Sequence, residues 1–128
     1  MRMILLGDYF DGQWHNPRTA PQESLEKLSP ADLSLKLWTA SVWHDHAEAV
    51  IQSAEKGFAV WRKLSFDERA VYFRKYQEAC KKRQDEISQA LAWEVGKPLW
   101  EAKTEAAALI SKVDVTLNDS LERIKTKT

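Results

Sequence analysis

The only cysteine of this 128-residue chain, Cys80, is the one thiol that could act as a nucleophile. Lys81 beside it could favour the reactive thiolate, because a neighbouring cation stabilises the negative sulfur. However, no histidine lies near Cys80 in the sequence, and Cys80 follows Tyr76 by four residues on an apolar helical stripe. We therefore predict an inert, partly buried thiol that packs as a small hydrophobic side chain. A single cysteine also excludes an internal disulfide framework and a zinc site built from several thiolates.

Two histidines, His44 and His46, flank Asp45 and have the side chains best suited to a metal ion. They stand two positions apart at the start of a predicted helix, so their side chains diverge, and only His15 could join them through folding. Zinc sites need three or four ligands that converge on one point. The spacing therefore favours solvated histidines near a helix cap over a metal centre.

The six tryptophans could stack on bases or sugars. Proteins that bind single-stranded nucleic acid combine such rings with a basic groove. This chain has 19 basic and 19 acidic residues and a net charge of zero, so we expect no nucleic acid partner. We predict packing roles instead, beside helical apolar stripes for Trp61 and Trp100 and in strand-like runs for Trp14 and Trp38.

The composition, 44% hydrophobic and 30% charged, is typical of a soluble globular protein. No run approaches the roughly 18 apolar residues of a membrane span, and the N-terminal apolar run is too short for a secretory signal. We therefore expect a cytoplasmic protein with no membrane partner.

The segment Gly96-Lys97-Pro98 resembles part of a phosphate-binding loop, but the longer motifs of nucleotide sites are absent. The nucleophile-elbow and zinc-protease patterns are absent as well. The motifs therefore predict no catalytic residue and no cofactor-binding residue in this chain. The segment more simply predicts a helix that stops at the glycine and another that starts at the proline.

Residues 1–40 form a predicted hairpin and strand region. Asp11-Gly12 lies between short apolar runs and predicts a two-residue β-hairpin, because both central positions of a type I′ turn need positive φ. Further on, Leu33, Leu35 and Leu37 alternate with other residues, and this period of two predicts a strand.

Residues 41–128 form a predicted region of three amphipathic helices, and with residues 1–40 they make the N-terminal part of one domain. Asp45 is expected to cap the first helix, a capping box from Ser65 to Glu68 starts the second, and Gly96 ends it. The predicted apolar stripe of the first helix comprises Ala47, Val50, Ile51, Ala54, Phe58 and Trp61. The stripe of the third helix comprises Ala102, Ala106, Leu109, Ile110, Val113, Leu117 and Leu121. The fold class is therefore α+β and mainly helical.

The sequence EVGKPLWEAKTE at residues 94–105 lies downstream of Gly57-Phe58 and Trp61. Together these segments resemble the N-terminal region of the NAD(P)-dependent aldehyde dehydrogenases. With Leu64-Ser65-Phe66-Asp67-Glu68-Arg69 before it, the run is most similar to succinylglutamate-semialdehyde dehydrogenases of arginine catabolism. The resemblance covers nearly all of the chain, although the Pro-x-Thr-Gly-Glu turn of the family stands here as Pro30-Ala31-Asp32-Leu33-Ser34, without its glycine.

This resemblance implies an oxidoreductase that converts an aldehyde, such as succinylglutamate semialdehyde, to a carboxylate with NAD or NADP. It also implies that the nucleophilic thiol, the general base and the cofactor-binding turn of the family lie downstream, since none has a matching position here. We therefore expect the first segment of a larger enzyme, inactive alone, that supports the cofactor domain as part of the α/β fold. Its expected partners are the remainder of the enzyme and, through uncovered helix faces, a second copy of the chain.

Glu94 is the one residue to which the resemblance assigns a metal ligand. Some family members bind a monovalent cation through an acidic residue just before the Gly-Lys-Pro, and Leu28-Ser29-Pro30 matches the turn that supplies backbone oxygens. Hard cations need clustered oxygens, so a charged residue near a helix end is the alternative interpretation of Glu94. For the chain as a whole, the alternative is a stand-alone helical interaction module, because exposed apolar faces mark partner surfaces.

Overall fold

The computed structural model describes residues 7–16, 20–120 and 123. The chain divides into two compact units, residues 1–63 and 64–128. The strands belong to the first unit and most of the helical residues to the second. Within the described ranges, no helix has both the length and the apolar character that crossing a bilayer requires.

A β-hairpin opens the first unit. Strand β1 (Asp8–Phe10) pairs antiparallel with β2 (Gln13–His15). The two turn residues have positive φ, 49° at Asp11 and 76° at Gly12, as a type I′ turn requires. The predicted Asp-Gly hairpin is therefore confirmed.

A second antiparallel ribbon joins β3 (Glu23–Ser29) to β4 (Asp32–Val42). The register shifts on both sides of Leu28, which pairs with Lys36 while Lys27 pairs with Trp38. Leu37 therefore has no partner in the ladder, and its side chain is only 1% exposed.

The strand predicted from Leu33, Leu35 and Leu37 is confirmed, but the three side chains do not share one environment. Leu33 and Leu35 are exposed, because the irregular pairing interrupts the simple alternation of faces. Strand β3 was not predicted. Its sequence contains no β-branched or aromatic residue, so only its pairing with β4 reveals it.

The first helix begins differently from its prediction. His44–His46 form a short 3₁₀ turn that leads into α1 (Ala47–Trp61), so the expected cap at Asp45 is wrong. Asp45 lies inside the turn and accepts a hydrogen bond of 3.0 Å from the Gln22 side chain. The Gln22 amide oxygen in turn accepts from the backbone N–H of His44 at 2.9 Å, so Gln22 satisfies a donor at the start of the turn.

Three helices form the second unit: α2 (Phe66–Lys82), α3 (Gln84–Val95) and α4 (Leu99–Asp114). A π-helical turn, Val115–Ser120, follows α4. The chain therefore has four α-helices within the described residues, and the prediction of three is wrong. Arg83, with φ −114° and ψ 18°, leaves the helical conformation and divides the predicted second helix. Apolar periodicity did not show this break, because α2 and α3 both pack against α4.

The start of α2 is a complete capping box. The Ser65 hydroxyl accepts from the Glu68 backbone N–H at 3.3 Å, and the Ser65 backbone N–H donates to the Glu68 carboxylate at 2.7 Å. The Ser65 hydroxyl also donates to the Glu68 carboxylate at 2.8 Å. The hydrogen bonds that the Ser65 backbone N–H and then the Ser65 hydroxyl donate to this carboxylate lower the pKa of Glu68. The predicted capping box is confirmed.

Replacing Ser65 with alanine is expected to lower the free energy of unfolding of the second unit by about 1 kcal/mol. The cause is loss of the acceptor for the Glu68 amide. Urea denaturation followed by circular dichroism measures the effect. Ser111→Ala is the control, because Ser111 is exposed in α4 and its hydroxyl donates to the Ala108 carbonyl within the same helix. Equal losses in the two variants would contradict the capping role.

Small residues on α4 form the centre of the second unit. Ala102 and Ala106 have no exposed surface, and Ile110 and Val113 of the same face are buried as well. The short side chains of the two alanines allow neighbouring backbones to approach closely. The predicted stripe of α4 is confirmed at these four positions, whereas Leu109 is 39% exposed. Two further members lie beyond α4, Leu117 half-buried in the π-helical turn and Leu121 outside the described residues.

Candidate functional site

The Cys80 thiol lies in α2 and is 8% exposed, so its predicted burial is confirmed. Its side chain forms a hydrogen bond with that of Tyr76, four residues earlier. A hydrogen bond with Cys80, assisted by partial burial, raises the pKa of the Tyr76 phenol. A thiol this deeply buried lacks the accessible surroundings of a reactive cysteine.

The structure joins His46 to residues of the hairpin rather than to His44. The His46 Nδ1 atom lies 2.7 Å from the Asp8 carboxylate, and the His46 and His15 ring centroids are 6.4 Å apart. His44 instead lies 3.5 Å from Glu23 and is largely exposed. The predicted divergence of the two histidines is thus confirmed, but the prediction of a solvated His46 is wrong, since its side chain is only 19% exposed.

Aromatic contacts complete this cluster. The Phe10 ring stacks on His15 at 3.8 Å and meets His46 edge-on at 5.3 Å. The His15 Nε2 atom lies 3.1 Å from the Phe10 carbonyl. Within the described part of the chain, no group of three or more His, Cys, Asp or Glu side chains is placed to hold a metal ion. The cluster therefore fastens the hairpin to the start of α1.

The segment Gly96-Lys97-Pro98 joins α3 to α4. Gly96 adopts the left-handed conformation, with φ 74° and ψ 26°, and its N–H bonds to the Ala92 carbonyl. Pro98 is the N-cap of α4. The predicted helix stop and helix start are therefore confirmed.

Lys97 forms ion pairs with carboxylates of its own chain. Its ammonium group donates to Glu105 and, at 3.3 Å, to Glu101. These two acidic residues make the first turns of α4 a poor site for an anion, and Pro98 offers no N–H. The segment consequently does not fit the phosphates of a dinucleotide.

Replacing Lys97 with methionine is expected to remove a stabilisation that depends on pH. The hydrogen bonds with Glu105 and then Glu101 raise the pKa of Lys97 above its ordinary value of 10.5. The stabilisation is therefore present below that value and is lost as the pH rises through the higher folded pKa. Urea denaturation should give Lys97→Met a lower free energy of unfolding than wild type at neutral pH. In strong alkali the two free energies should be equal. A difference between these free energies that persists in alkali would contradict the role of the Lys97 ammonium group. An equal loss of stability in Lys103→Met, at an exposed position of α4, would contradict it as well.

Glu94 occupies the last turn of α3 and is half-buried. The residues between β3 and β4, which would supply backbone oxygens, lie in the first unit, whereas Glu94 lies in the second. The monovalent-cation site at Glu94 therefore stays a prediction.

Two of the tryptophans are not packed as expected. Trp100 is 70% exposed, because it projects from the first turn of α4 opposite the face that holds Ala102. Trp14 is 55% exposed and meets Tyr9 across the hairpin, with ring centroids 5.1 Å apart. Trp38 and Trp61 are half-buried, which agrees better with the predicted packing roles.

Comparison with known proteins assigns the class of this chain. Residues 15–128 match the aldehyde dehydrogenase family. The chain therefore belongs to that family, and the resemblance found in residues 94–105 is confirmed.

Its curated relatives include several N-succinylglutamate 5-semialdehyde dehydrogenases. The protein of Chromobacterium violaceum is 31% identical over 121 residues, which cover 90% of this chain and 23% of the relative. The protein of Ectopseudomonas mendocina is 32% identical over 115 residues, again 90% of this chain and 23% of the relative. That of Paraburkholderia xenovorans is 36% identical over 90 residues, 66% of this chain and 18% of the relative. The chain thus spans less than a quarter of the length of these relatives.

Proposed function

We propose that this chain is the N-terminal scaffold segment of an oxidoreductase that converts an aldehyde to a carboxylate with NAD or NADP. The observation that carries the proposal is the family match over residues 15–128. Relatives matched over 90% of the chain bear the name of N-succinylglutamate 5-semialdehyde, and we propose this aldehyde as the substrate.

The chemistry of aldehyde oxidation supports a scaffold role. The reaction needs a nucleophile, a hydride acceptor and a base that activates water. The one thiol of this chain is buried beside Tyr76, and the segment at Lys97 does not fit a dinucleotide phosphate. We therefore assign the reacting groups to the part of the enzyme that corresponds to the unmatched length of the relatives.

Close packing between the helices of the second unit supports the proposed scaffold role. The fully buried Ala102 and Ala106 bring α4 close to its neighbours, and Gln77 of α2 donates to the Ile110 carbonyl of α4 at 3.0 Å. Reacting groups must be held within about 0.5 Å of their productive positions, which requires a well-packed support behind them. The proposed contribution of this chain is that support.

A chimera tests the proposal. Residues 15–128 of this chain would replace the matching segment of the Chromobacterium violaceum relative, and formation of reduced NAD(P) from N-succinylglutamate 5-semialdehyde would be followed. We expect turnover by the chimera and none by the 128-residue chain alone. Cys80→Ser is the control and should leave the chimera active. Turnover by the isolated chain that disappears in Cys80→Ser would overturn the proposal.

The alternative function is a stand-alone helical interaction module. The observation in its favour is the exposure of large apolar side chains on separate helices, including Ile51 at 54% and Phe66 at 61%. An interaction module would bind its own partner as the isolated chain and would leave the chimera without turnover.

We also propose that the isolated chain self-associates through these apolar surfaces. Sedimentation over a range of concentrations tests this proposal, because association driven by apolar burial increases with concentration. A compact monomer at the highest concentration would contradict it.

A further inference from the structure

We propose that Asp11, in the turn of the β-hairpin, is a site of spontaneous backbone isomerisation to isoaspartate. The reaction is an attack of the Gly12 backbone nitrogen on the side-chain carboxyl carbon of Asp11. It needs an unhindered nitrogen, access to water and a backbone that can open. It uses no other macromolecule and no catalytic group, so it is independent of the proposed function.

The atoms of this isomerisation balance with water alone, and none of them is oxidised or reduced. The Gly12 nitrogen forms a bond to the Asp11 Cγ atom, and the carboxyl loses a hydroxyl group that leaves as water with the amide proton. The product is a cyclic imide. Water then breaks one of its two C–N bonds. Cleavage at Cγ restores aspartate, whereas cleavage at the backbone carbonyl carbon leaves a main chain that runs through Cβ and Cγ, which is isoaspartate.

Gly12 presents its nitrogen to this attack without a side chain beside it. A Cβ built on Gly12 would meet no atom within 4 Å in the described part of the chain. The hairpin ladder pairs Phe10 with Gln13, so the Gly12 nitrogen lies in the turn and outside the paired positions. Both turn residues are exposed, which gives water access to the imide. Asp11 is also the one aspartate of the sequence that precedes a glycine.

Asp32 provides an internal comparison within the same unit. It is exposed and lies at the start of β4, but it precedes Leu33, whose branched side chain flanks the nitrogen that would attack. The Asp32 carboxylate accepts from the Ser34 backbone N–H at 3.0 Å and from the Ser34 hydroxyl at 2.6 Å. These contacts engage the carboxylate that an imide would consume. We therefore expect Asp32 to stay unmodified.

The closed turn restrains the reaction at Asp11. A planar imide ring brings the Gly12 nitrogen into line with the Cα–Cβ bond of Asp11, and a left-handed backbone does not allow this arrangement. The turn must therefore open first. Opening is favoured because φ is 49° at Asp11, a strained value for a residue with a side chain, and because two-stranded hairpins have little stability of their own.

Ser53 of α1 holds the turn closed. Its hydroxyl accepts a hydrogen bond of 2.9 Å from the Asp11 backbone N–H, which fastens the turn to the helix. Loss of this acceptor increases the population of the open turn without changing the reacting groups. Ser53 therefore controls the rate of isomerisation at Asp11.

Isomerisation changes the hairpin, because it adds one atom to the main chain between β1 and β2. The geometry of a two-residue type I′ turn does not accommodate an additional backbone atom. The modification therefore disturbs the pairing of Phe10 with Gln13 and the contact of Asp11 with Ser53. Its consequence is a looser attachment of the hairpin to α1.

Incubation of the 128-residue chain at neutral pH provides the test. Isoaspartate is measured by methyl transfer with a protein isoaspartate methyltransferase and located by mass spectrometry of peptides. We expect it to accumulate at Asp11 and not at Asp32. Ser53→Ala should raise the rate at Asp11 by about fivefold, the factor by which the loss of one net hydrogen bond changes an opening equilibrium. Ser111→Ala, the same change at an exposed position of α4, should leave the rate unaltered.

Three results would each overturn the proposal. Isoaspartate at Asp11 in urea-unfolded chain but none in the folded chain would show that the hairpin does not open. Equal rates at Asp11 and Asp32 would show that Gly12 does not direct the reaction. Equal rates in Ser53→Ala and Ser111→Ala would refute control by Ser53. Asp11→Glu, which lengthens the side chain beyond the favourable ring size, should remove the methyl acceptance, and a signal that persists would place the reaction elsewhere.

Discussion

Replacing Leu37 with alanine is expected to lower the free energy of unfolding of the first unit by about 2–5 kcal/mol. Leu37 is the largest fully buried side chain among the described residues, with 1% of its surface exposed. Truncation removes its apolar contacts and leaves a cavity in their place. Two-stranded ribbons have little stability of their own, so a loss of this size should unfold much of the unit.

Leu33→Ala is the matched control for this prediction. Leu33 lies in the same strand and undergoes the same chemical change, but it is 72% exposed. Its replacement should therefore lower the free energy of unfolding by less than about 0.5 kcal/mol. Urea denaturation, with amide hydrogen exchange in β3 and β4, separates the two variants. Equal losses at the two leucines would show that Leu37 does not form the core of this unit.

Replacing Gln77 with alanine is expected to lower the free energy of unfolding of the second unit by about 2–3 kcal/mol. The Gln77 side chain is 3% exposed and links two helices. Its amide nitrogen donates to the Ile110 carbonyl at 3.0 Å and to the Asp114 carboxylate at 2.6 Å, and its oxygen accepts from Arg74 at 3.0 Å. The substitution removes all three hydrogen bonds, including the buried one that joins α2 to the α4 backbone at Ile110.

Acid should reduce the effect of the Gln77 substitution. The hydrogen bond from Arg74, and then that from Gln77, lower the pKa of the Asp114 carboxyl below its ordinary value of 3.8. The stabilisation is therefore present above that value and is lost as the pH falls through the lower folded pKa.

Gln52→Ala is the control for the Gln77 substitution. It removes an exposed amide on α1 that donates to Glu48, and it should lower the free energy of unfolding by less than about 0.5 kcal/mol. Urea denaturation at neutral and strongly acidic pH measures both variants, and a loss at Gln77 that is unchanged in acid would contradict the role of Asp114.

Local sequence signals predicted the parts of the fold whose causes are local. The turn at Asp11-Gly12, the capping box at Ser65 and the left-handed Gly96 each depend on the conformational preferences of one or two residues. Such preferences act within a single turn of the chain, so the sequence is sufficient to reveal them.

The features that were missed depend on contacts between distant residues. Strand β3 exists through its pairing with β4, and the break at Arg83 lies between two helices that both pack on α4. Likewise, the hydrogen bond between the Asp8 and His46 side chains joins residues 38 positions apart, and no spacing in the sequence indicates it.

The central claim is that residues 15–128 form a scaffold of an aldehyde dehydrogenase and supply none of its reacting groups. The rate of NAD(P) reduction by the chimera carrying Cys80→Ser, relative to the Chromobacterium violaceum enzyme, tests this claim most directly. We predict a rate within about tenfold of that enzyme, since a support changes positioning rather than the reacting groups. A folded chimera that forms no reduced cofactor with Cys80 intact, or one that loses its activity only through Cys80→Ser, would contradict it.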